Sequence, residues 1–245
     1  MTDRTEGLRL YDELIAVHTI MRRSTALVVD ALQALTAGRP VRVATLVKLI
    51  DWQAGFVHHH HESEDELFWP VLRARFPEVV AQLDALSIEH DKLDGALEHL
   101  STEAAALRGA PAGRGTRGAS GAEESRGAAT DADSRGAPAG QTQAASLLPA
   151  ALEVRDILAG HLDTEEPILH ALFPDVPADE IITLRKAIVA GAPKAGPEWV
   201  LGLMENPTRA QGYDIMMANF PPPVRWLRPI LLRSYAKARR SLAVD

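Results

Sequence analysis

Four consecutive histidines occupy positions 58–61, and the run continues Glu62-Ser63-Glu64-Asp65-Glu66-Leu67-Phe68-Trp69-Pro70. Imidazole is neither a strong helix former nor a strong solubiliser at neutral pH, so such a run in mid-chain points to chemistry. Leu46, Ile50, Gln53, Val57, His60, Glu64, Leu67 and Val71 step alternately by four and three residues. That spacing lays them along one stripe of a helix. His60 and Glu64 therefore take places where buried apolar residues are expected. They are one turn apart, so an imidazole nitrogen and a carboxylate oxygen can converge on one point. An unpaired polar group in a core costs about 1–3 kcal/mol and a bare charge far more. A bound metal ion is the first expectation.

The elements that must position these donors repeat the pattern. A helix over about 8–35 carries the stripe Leu14, His18, Met21, Thr25, Val28, Leu32 and Leu35. Gly38 and Pro40 then stop that helix and start the next, over about 42–75, which Pro70 should kink or end early. A third begins near Pro77, with Val79, Leu83, Leu86, His90, Leu93, Leu97 and Leu100 as its seam. The fourth begins near Gln143, with Leu147, Ala151, Val154, Leu158, His161, Glu165, Ile168 and Leu172. It repeats the His-x-x-x-Glu spacing of the second helix, and Pro167 should kink it just past the donors. Beyond Pro174 the pattern predicts helices over about 178–190 and 198–204, then a basic segment over 222–242. No stretch shows sustained strand-like alternation, so the fold class is all-α.

Residues 108–140 are almost entirely Gly, Ala, Ser, Thr, Pro, Arg and a few acids, and Arg-Gly-Ala-Pro-Ala-Gly occurs there twice. Nothing in them exceeds Ala as a buriable side chain, so they read as a disordered linker running to about 142. The expected organisation is a bundle over 1–175, interrupted by this linker, and a helical extension over 176–245 packed on it.

Composition narrows the chemistry. The chain has 245 residues and no cysteine, which excludes disulfides, zinc-thiolate sites and iron–sulfur clusters. Any metal must be held by nitrogen and oxygen. The absence of a signal-type apolar segment and of any apolar run near 18 residues leads to the expectation of a cytoplasmic protein. A net charge of −7 speaks against a nucleic-acid partner. The segment after Pro222 differs, mixing Arg225, Arg228, Arg233, Lys237, Arg239 and Arg240 with Trp226, Leu227, Ile230 and Tyr235. It is expected to lie on the bundle with its basic face in water. Contact with an anionic membrane surface or a protein partner is the competing expectation.

One core histidine is usually a hydrogen-bonded core residue. Four, one per helix and each in register with its seam, are hard to obtain by chance. Imidazoles with carboxylates suit iron, manganese or zinc, and two carboxylates able to bridge favour a dinuclear site. The order His18, His60-x-x-x-Glu64, His90, His161-x-x-x-Glu165 resembles the hemerythrin-like cation-binding family. The local matches are His58 to Pro70, Glu89-His90-Asp91 and His161-Leu-Asp-Thr-Glu165-Glu166. Together they cover residues 8–172.

The resemblance implies an up-and-down antiparallel four-helix bundle with a non-haem, oxo- or hydroxo-bridged di-iron centre. It makes Glu64 and Glu165 bridging ligands and His18, His60, His90 and His161 terminal ones. The sequence departs from the oxygen-carrying members, which place two histidines on the third helix; here Leu86 and Asp94 flank His90 one turn either side. His61 borders the seam and is an alternative to His60, which alone keeps the spacing to Glu64. Glu62 and Asp94 are further candidates to complete the shell. His58, His59, His99 and His170 are expected to be at least partly solvated, and Asp65 and Glu66 to lie at the surface or against imidazole N–H groups.

The functional expectation is binding of, or reaction with, dioxygen, peroxide or nitric oxide, in the response to or sensing of oxidative or nitrosative stress. Peroxide decomposition of the catalase kind is the enzymatic form of that reading. The competing class is a metal-binding structural or regulatory module acting through a partner or membrane surface. With four histidines, two bridging carboxylates and one bridging oxo or hydroxo group, about two of roughly twelve positions on a six-coordinate pair stay open. That count predicts rapid autoxidation, with peroxide turnover or nitric oxide binding favoured over oxygen transport.

Overall fold

Helix periodicity accounts for nearly every element. The computed structural model of the protein describes residues 2–107, 139–191 and 196–244. In order come α1 (Thr2–Thr36), α2 (Val43–Ser63), α3 (Trp69–Arg75), α4 (Val80–Leu107), α5 (Ala139–Leu172), α6 (Ala178–Gly191), α7 (Pro197–Glu205), α8 (Tyr213–Asn219) and α9 (Pro222–Ser241). No strand occurs among the described residues. No described helix is long and apolar enough to cross a membrane. α1 packs on α2 and α5, and α4 packs on the same two, closing an all-α four-helix bundle. α1 begins six residues before the expected Leu8. It ends at Gly38, whose φ of 78° suits glycine and whose N–H donates to the Leu35 carbonyl.

The second long helix departs from its expected seam in an instructive way. Residues Glu64–Phe68 form one π turn between α2 and α3, and the Trp69 N–H reaches back five residues to the Glu64 carbonyl. The cause lies one residue on. Pro70 has no N–H, and in an α-helix its ring would press on the carbonyl of Glu66, four residues back. Widening the turn relieves that pressure without ending the helical path. One extra residue in the turn shifts the phase, so Phe68 and Leu72 are buried while the expected Leu67 and Val71 are only half-buried. α5, by contrast, is one element through both Pro149 and Pro167. After Glu165 its seam continues on Leu169 and not on the expected Ile168.

Two apolar clusters sandwich a polar layer. The larger holds Met21, Val28, Leu46, Ile50, Val57, Leu93, Leu97, Val154 and Leu158 among others. The smaller holds Leu10, Leu14, Phe68, Trp69, Leu72, Leu83, Leu86, Leu169 and Phe173. Along each bundle helix the seam passes from one cluster to the other through histidine: Leu14 to His18 to Met21, Val57 to His60 to Phe68, Leu86 to His90 to Leu93, Leu158 to His161 to Leu169.

The C-terminal helices complete the larger cluster with Trp199, Leu201, Leu203, Met204, Tyr213, Tyr235 and Leu242. Gly202 permits a close approach, because a Cβ there would collide with the ring of Tyr235. Glu205 at the end of α7 receives Arg228 Nε at 2.6 Å and Tyr213 Oη at 2.8 Å, clamping α9. The Arg42 N–H donates to the Ser241 carbonyl at 2.7 Å, tying the end of α9 to the start of α2. On α6, Arg185 donates to Glu13 at 2.9 Å and Glu6 at 3.1 Å on α1. α9 is continuous through Pro229. The linker expected over 108–142 lies outside the described residues, except that 139–142 are already the first turn of α5.

Candidate metal centre

All six donors expected from the seams are buried at one level of the bundle, and a seventh joins them. His18 of α1, His60 of α2, Glu64 of the π turn and Glu165 of α5 bring one donor atom each within 4.8 Å of one another. His61 of α2, His90 of α4 and His161 of α5 form a second such group. The two groups meet at the carboxylates. Glu64 has Oε1 at 3.1 Å from His60 Nε2 and Oε2 at 3.5 Å from His90 Nε2. Glu165 Oε2 lies 3.7 Å from His18 Nε2 and 3.4 Å from His161 Nε2. Each carboxylate therefore faces both groups.

His60 and His61 had been alternatives; the structure brings both inward. Neighbours in a helix diverge by about 100°. The two rings straddle the seam, His60 toward α1 and His61 toward α4 and α5. His61 stacks on His90 with ring centroids 4.2 Å apart and planes within 4°. Glu62 is not part of either group. It is exposed and lies 3.6 Å from the half-buried His59. Asp94 is not among the donors either, but it touches one. His58 and His99 are exposed, and His170 lies against the ring of Tyr11.

Four imidazoles are held from behind by carboxylates. The Nδ1 atoms of His18, His90 and His161 lie 3.0, 2.9 and 3.0 Å from Glu166, Asp65 and Glu89. His61 Nδ1 has Asp94 at 3.4 Å. A carboxylate there fixes the tautomer with the proton on Nδ1 and turns the Nε2 lone pair inward. Arg22 and Ser87 steady two of these partners, Arg22 bonding to Glu166 and Asp163, and Ser87 to Asp65. Asp65 was expected at the surface or against an imidazole N–H, and it takes the second place. The roles of Glu89 and Glu166 were not legible, although each directly adjoins a donor in sequence.

The electrostatics are those of a site prepared for a cation. Burial pushes His60 well below its usual value, helped by His18, and pushes His61 down to about 4. His90 is lowered by burial in spite of Asp65. Burial also opposes the charge on His161, but Glu165 and Glu89 outweigh it and raise that group. Glu64 is raised well above the carboxylate range by burial and by the charge of Glu165. Glu165 is lowered: burial opposes its charge, but His18, His161 and His60 overcome it. The environments of the two carboxylates thus push them in opposite directions.

The Nε2 atoms of His61, His90 and His161 and all four oxygens of Glu64 and Glu165 are buried without a hydrogen bond. The short separations between them lack hydrogen-bond angles. Each such atom costs roughly 1–3 kcal/mol when left unsatisfied. Seven nitrogen and oxygen ligands around two adjacent points remove that cost if a metal binds, and they suit iron, manganese or zinc. The residues fit such a group.

An all-α bundle that buries five imidazoles and two carboxylates at one level is a metal-binding domain. The family model of the hemerythrin HHE cation binding domain matches residues 9–173, and the chain belongs to that family. No curated protein and no solved structure matches the chain significantly.

Proposed function

We propose that this is a non-haem di-iron protein that binds or reacts with a small oxidant or gas: dioxygen, peroxide or nitric oxide. His18 and His60 would hold one iron and His61, His90 and His161 the other, with Glu64 and Glu165 facing both groups. The observation that carries this reading is that each carboxylate faces both imidazole groups. A pair of irons so held supplies reducing electrons and an open position for a small ligand. The chain's own residues do the rest. Asp65, Glu89, Asp94 and Glu166 orient the rings, and the two apolar clusters keep water from the polar layer on both sides.

The fifth imidazole changes the coordination count. With His61 as a fifth imidazole, an iron pair would keep fewer open positions than four histidines would leave. The second imidazole that oxygen carriers place on the third helix comes here from the second. Asp94, one turn after His90, holds that ring. Fewer open positions would favour one diatomic ligand over turnover with a second oxidant, which makes stable binding of dioxygen or nitric oxide the leading expectation. A role in sensing or answering oxidative or nitrosative stress follows from that chemistry.

The test is anaerobic loading with iron(II), metal analysis, and stopped-flow mixing with dioxygen. Two irons per chain are expected, with an absorbance change that reverses on degassing in the parent and is lost in His61→Ala. A colourless chain that takes zinc and refuses iron would instead make this a structural or regulatory module.

A further inference from the structure

The last helix carries a surface that the metal centre does not use. Trp226, Leu227 and Ile230 on α9 are 78%, 48% and 58% exposed. Among the described residues, the other exposed large apolar ones, Leu8, Ile88, Ile182 and Val189, are isolated in sequence. Isolated ones are ordinary, whereas three within five residues of one helix make a patch. The opposite face of α9 is accounted for, since Val224, Leu231, Leu232, Tyr235 and Ala238 pack on the larger cluster and Arg228 is bound by Glu205.

The outward face has an order along its length. Trp226, Ile230, Arg233, Lys237 and Arg240 step by four, three, four and three, so they form one line on the helix. At about 1.5 Å per residue the line is roughly 21 Å long, apolar in its first half and cationic in its second. Arg233, Lys237 and Arg240 are exposed. Residues 215–244 hold six basic side chains and no acid, in a chain whose net charge is −7. A second copy that laid its own α9 on this line would bring more cations and no acid to meet them.

We propose that α9 is a docking surface for an anionic lipid bilayer. Trp226, Leu227 and Ile230 sit in the interfacial layer, and Arg233, Lys237 and Arg240 engage acidic headgroups. Tryptophan suits the boundary between headgroup and hydrocarbon, and long cationic side chains reach headgroups from a helix lying flat. Charge complementarity selects the lipid: the line attracts an anionic leaflet, while the acidic remainder of the chain is repelled and faces away. The bundle, with its metal centre, would then be held beside the membrane by one helix that does not enter it.

The full-length protein should be mixed with phosphatidylcholine vesicles with and without one-third phosphatidylserine, and binding followed by co-sedimentation. Binding to the anionic vesicles should be at least roughly tenfold stronger and should fall steeply with salt. Replacing Arg233, Lys237 and Arg240 together by Gln should weaken it by roughly 100-fold, on the scale of headgroup attraction per cation. Trp226→Ala with Ile230→Ala should also release the protein. All five positions are at the surface, and unchanged circular dichroism and metal content will show that the variants fold. Equal binding to both vesicle types, no binding to either, or variants that bind like the parent would each overturn the proposal. So would a parent dimer that the Trp226→Ala, Ile230→Ala variant converts to monomer, since a second copy would then cover the face.

Discussion

Glu89 offers a direct test of how the imidazoles are held. It accepts from His161 Nδ1 at 3.0 Å and supplies no donor atom to either group. Its side chain is 43% exposed, so solvent screens the pair and its worth to the metal-free fold is below about 1 kcal/mol. That corresponds to a melting shift of at most roughly 2–4 °C in a chain of this size. The metal should feel far more. Removing a carboxylate that orients a ligand imidazole and raises its basicity costs roughly 10- to 100-fold in affinity, or about 1.4–2.7 kcal/mol. Glu89→Gln, which can still accept the bond, should fall near the lower end and Glu89→Ala near the upper. The assay is metal competition with a chelator of known affinity, set beside thermal melting of the metal-free protein. A Glu89→Ala variant that binds metal like the parent would refute the reasoning. So would one whose metal-free melting temperature drops by more than about 4 °C.

Other outcomes follow from the same geometry. His60→Ala and His61→Ala should each lose about one metal per chain, because they belong to different groups, while His59→Ala keeps both; metal analysis after dialysis checks this. Glu64 is raised by burial and by Glu165, so in the metal-free protein it binds more protons folded than unfolded. Its contribution to stability therefore declines as pH rises above the ordinary carboxylate value. Metal loading should improve over the same rise, and Glu64→Gln should melt at or above the metal-free parent at neutral pH while taking up no metal. Glu205 has the opposite sign: burial raises it, but Arg228 and Tyr213 outweigh that and lower it. Its contribution is present above the ordinary carboxylate value and lost as pH falls through the lowered one. Arg228→Ala should cost about 1 kcal/mol at neutral pH after screening, less in acid, by denaturant titration. Replacing 108–138 with a short Gly-Ser segment should leave helicity and metal content intact, since closure entropy changes slowly with loop length.

The bundle and most of the donors were legible because one periodicity governs both. His18, His90, His161 and Glu165 interrupt seams that are otherwise apolar, and a 3.6-residue repeat finds them without reference to the neighbouring helices. His61 was harder, because a single stripe admits one residue per turn. Only the approach of α1 on one side and α4 with α5 on the other lets two adjacent rings both be interior. Phe68 and Leu72 were missed because the π turn shifts the phase by one, and the sequence announces it only through Pro70. The carboxylates behind the rings are set by pairing between helices, which no periodicity contains. α8 is two turns long, too short to show a seam.

His60 and His61 share one peptide unit, so their Cα atoms stand about 3.8 Å apart whatever the rest of the bundle does. Each belongs to a different donor group. Glu64, which reaches both groups, follows one turn later in the same covalent segment. One donor of each group is therefore spaced by bond lengths in this segment, while His18, His90, His161 and Glu165 are placed by the packing of the other helices. Core substitutions that swell or slacken the bundle should displace His18, His90, His161 and Glu165 while leaving the His60–His61 spacing nearly untouched. A one-residue insertion between His61 and Glu64 would break the spacing of Glu64 from both while preserving every donor. The segment thus adds a spacing of backbone precision to a centre whose other donors are placed by side-chain packing.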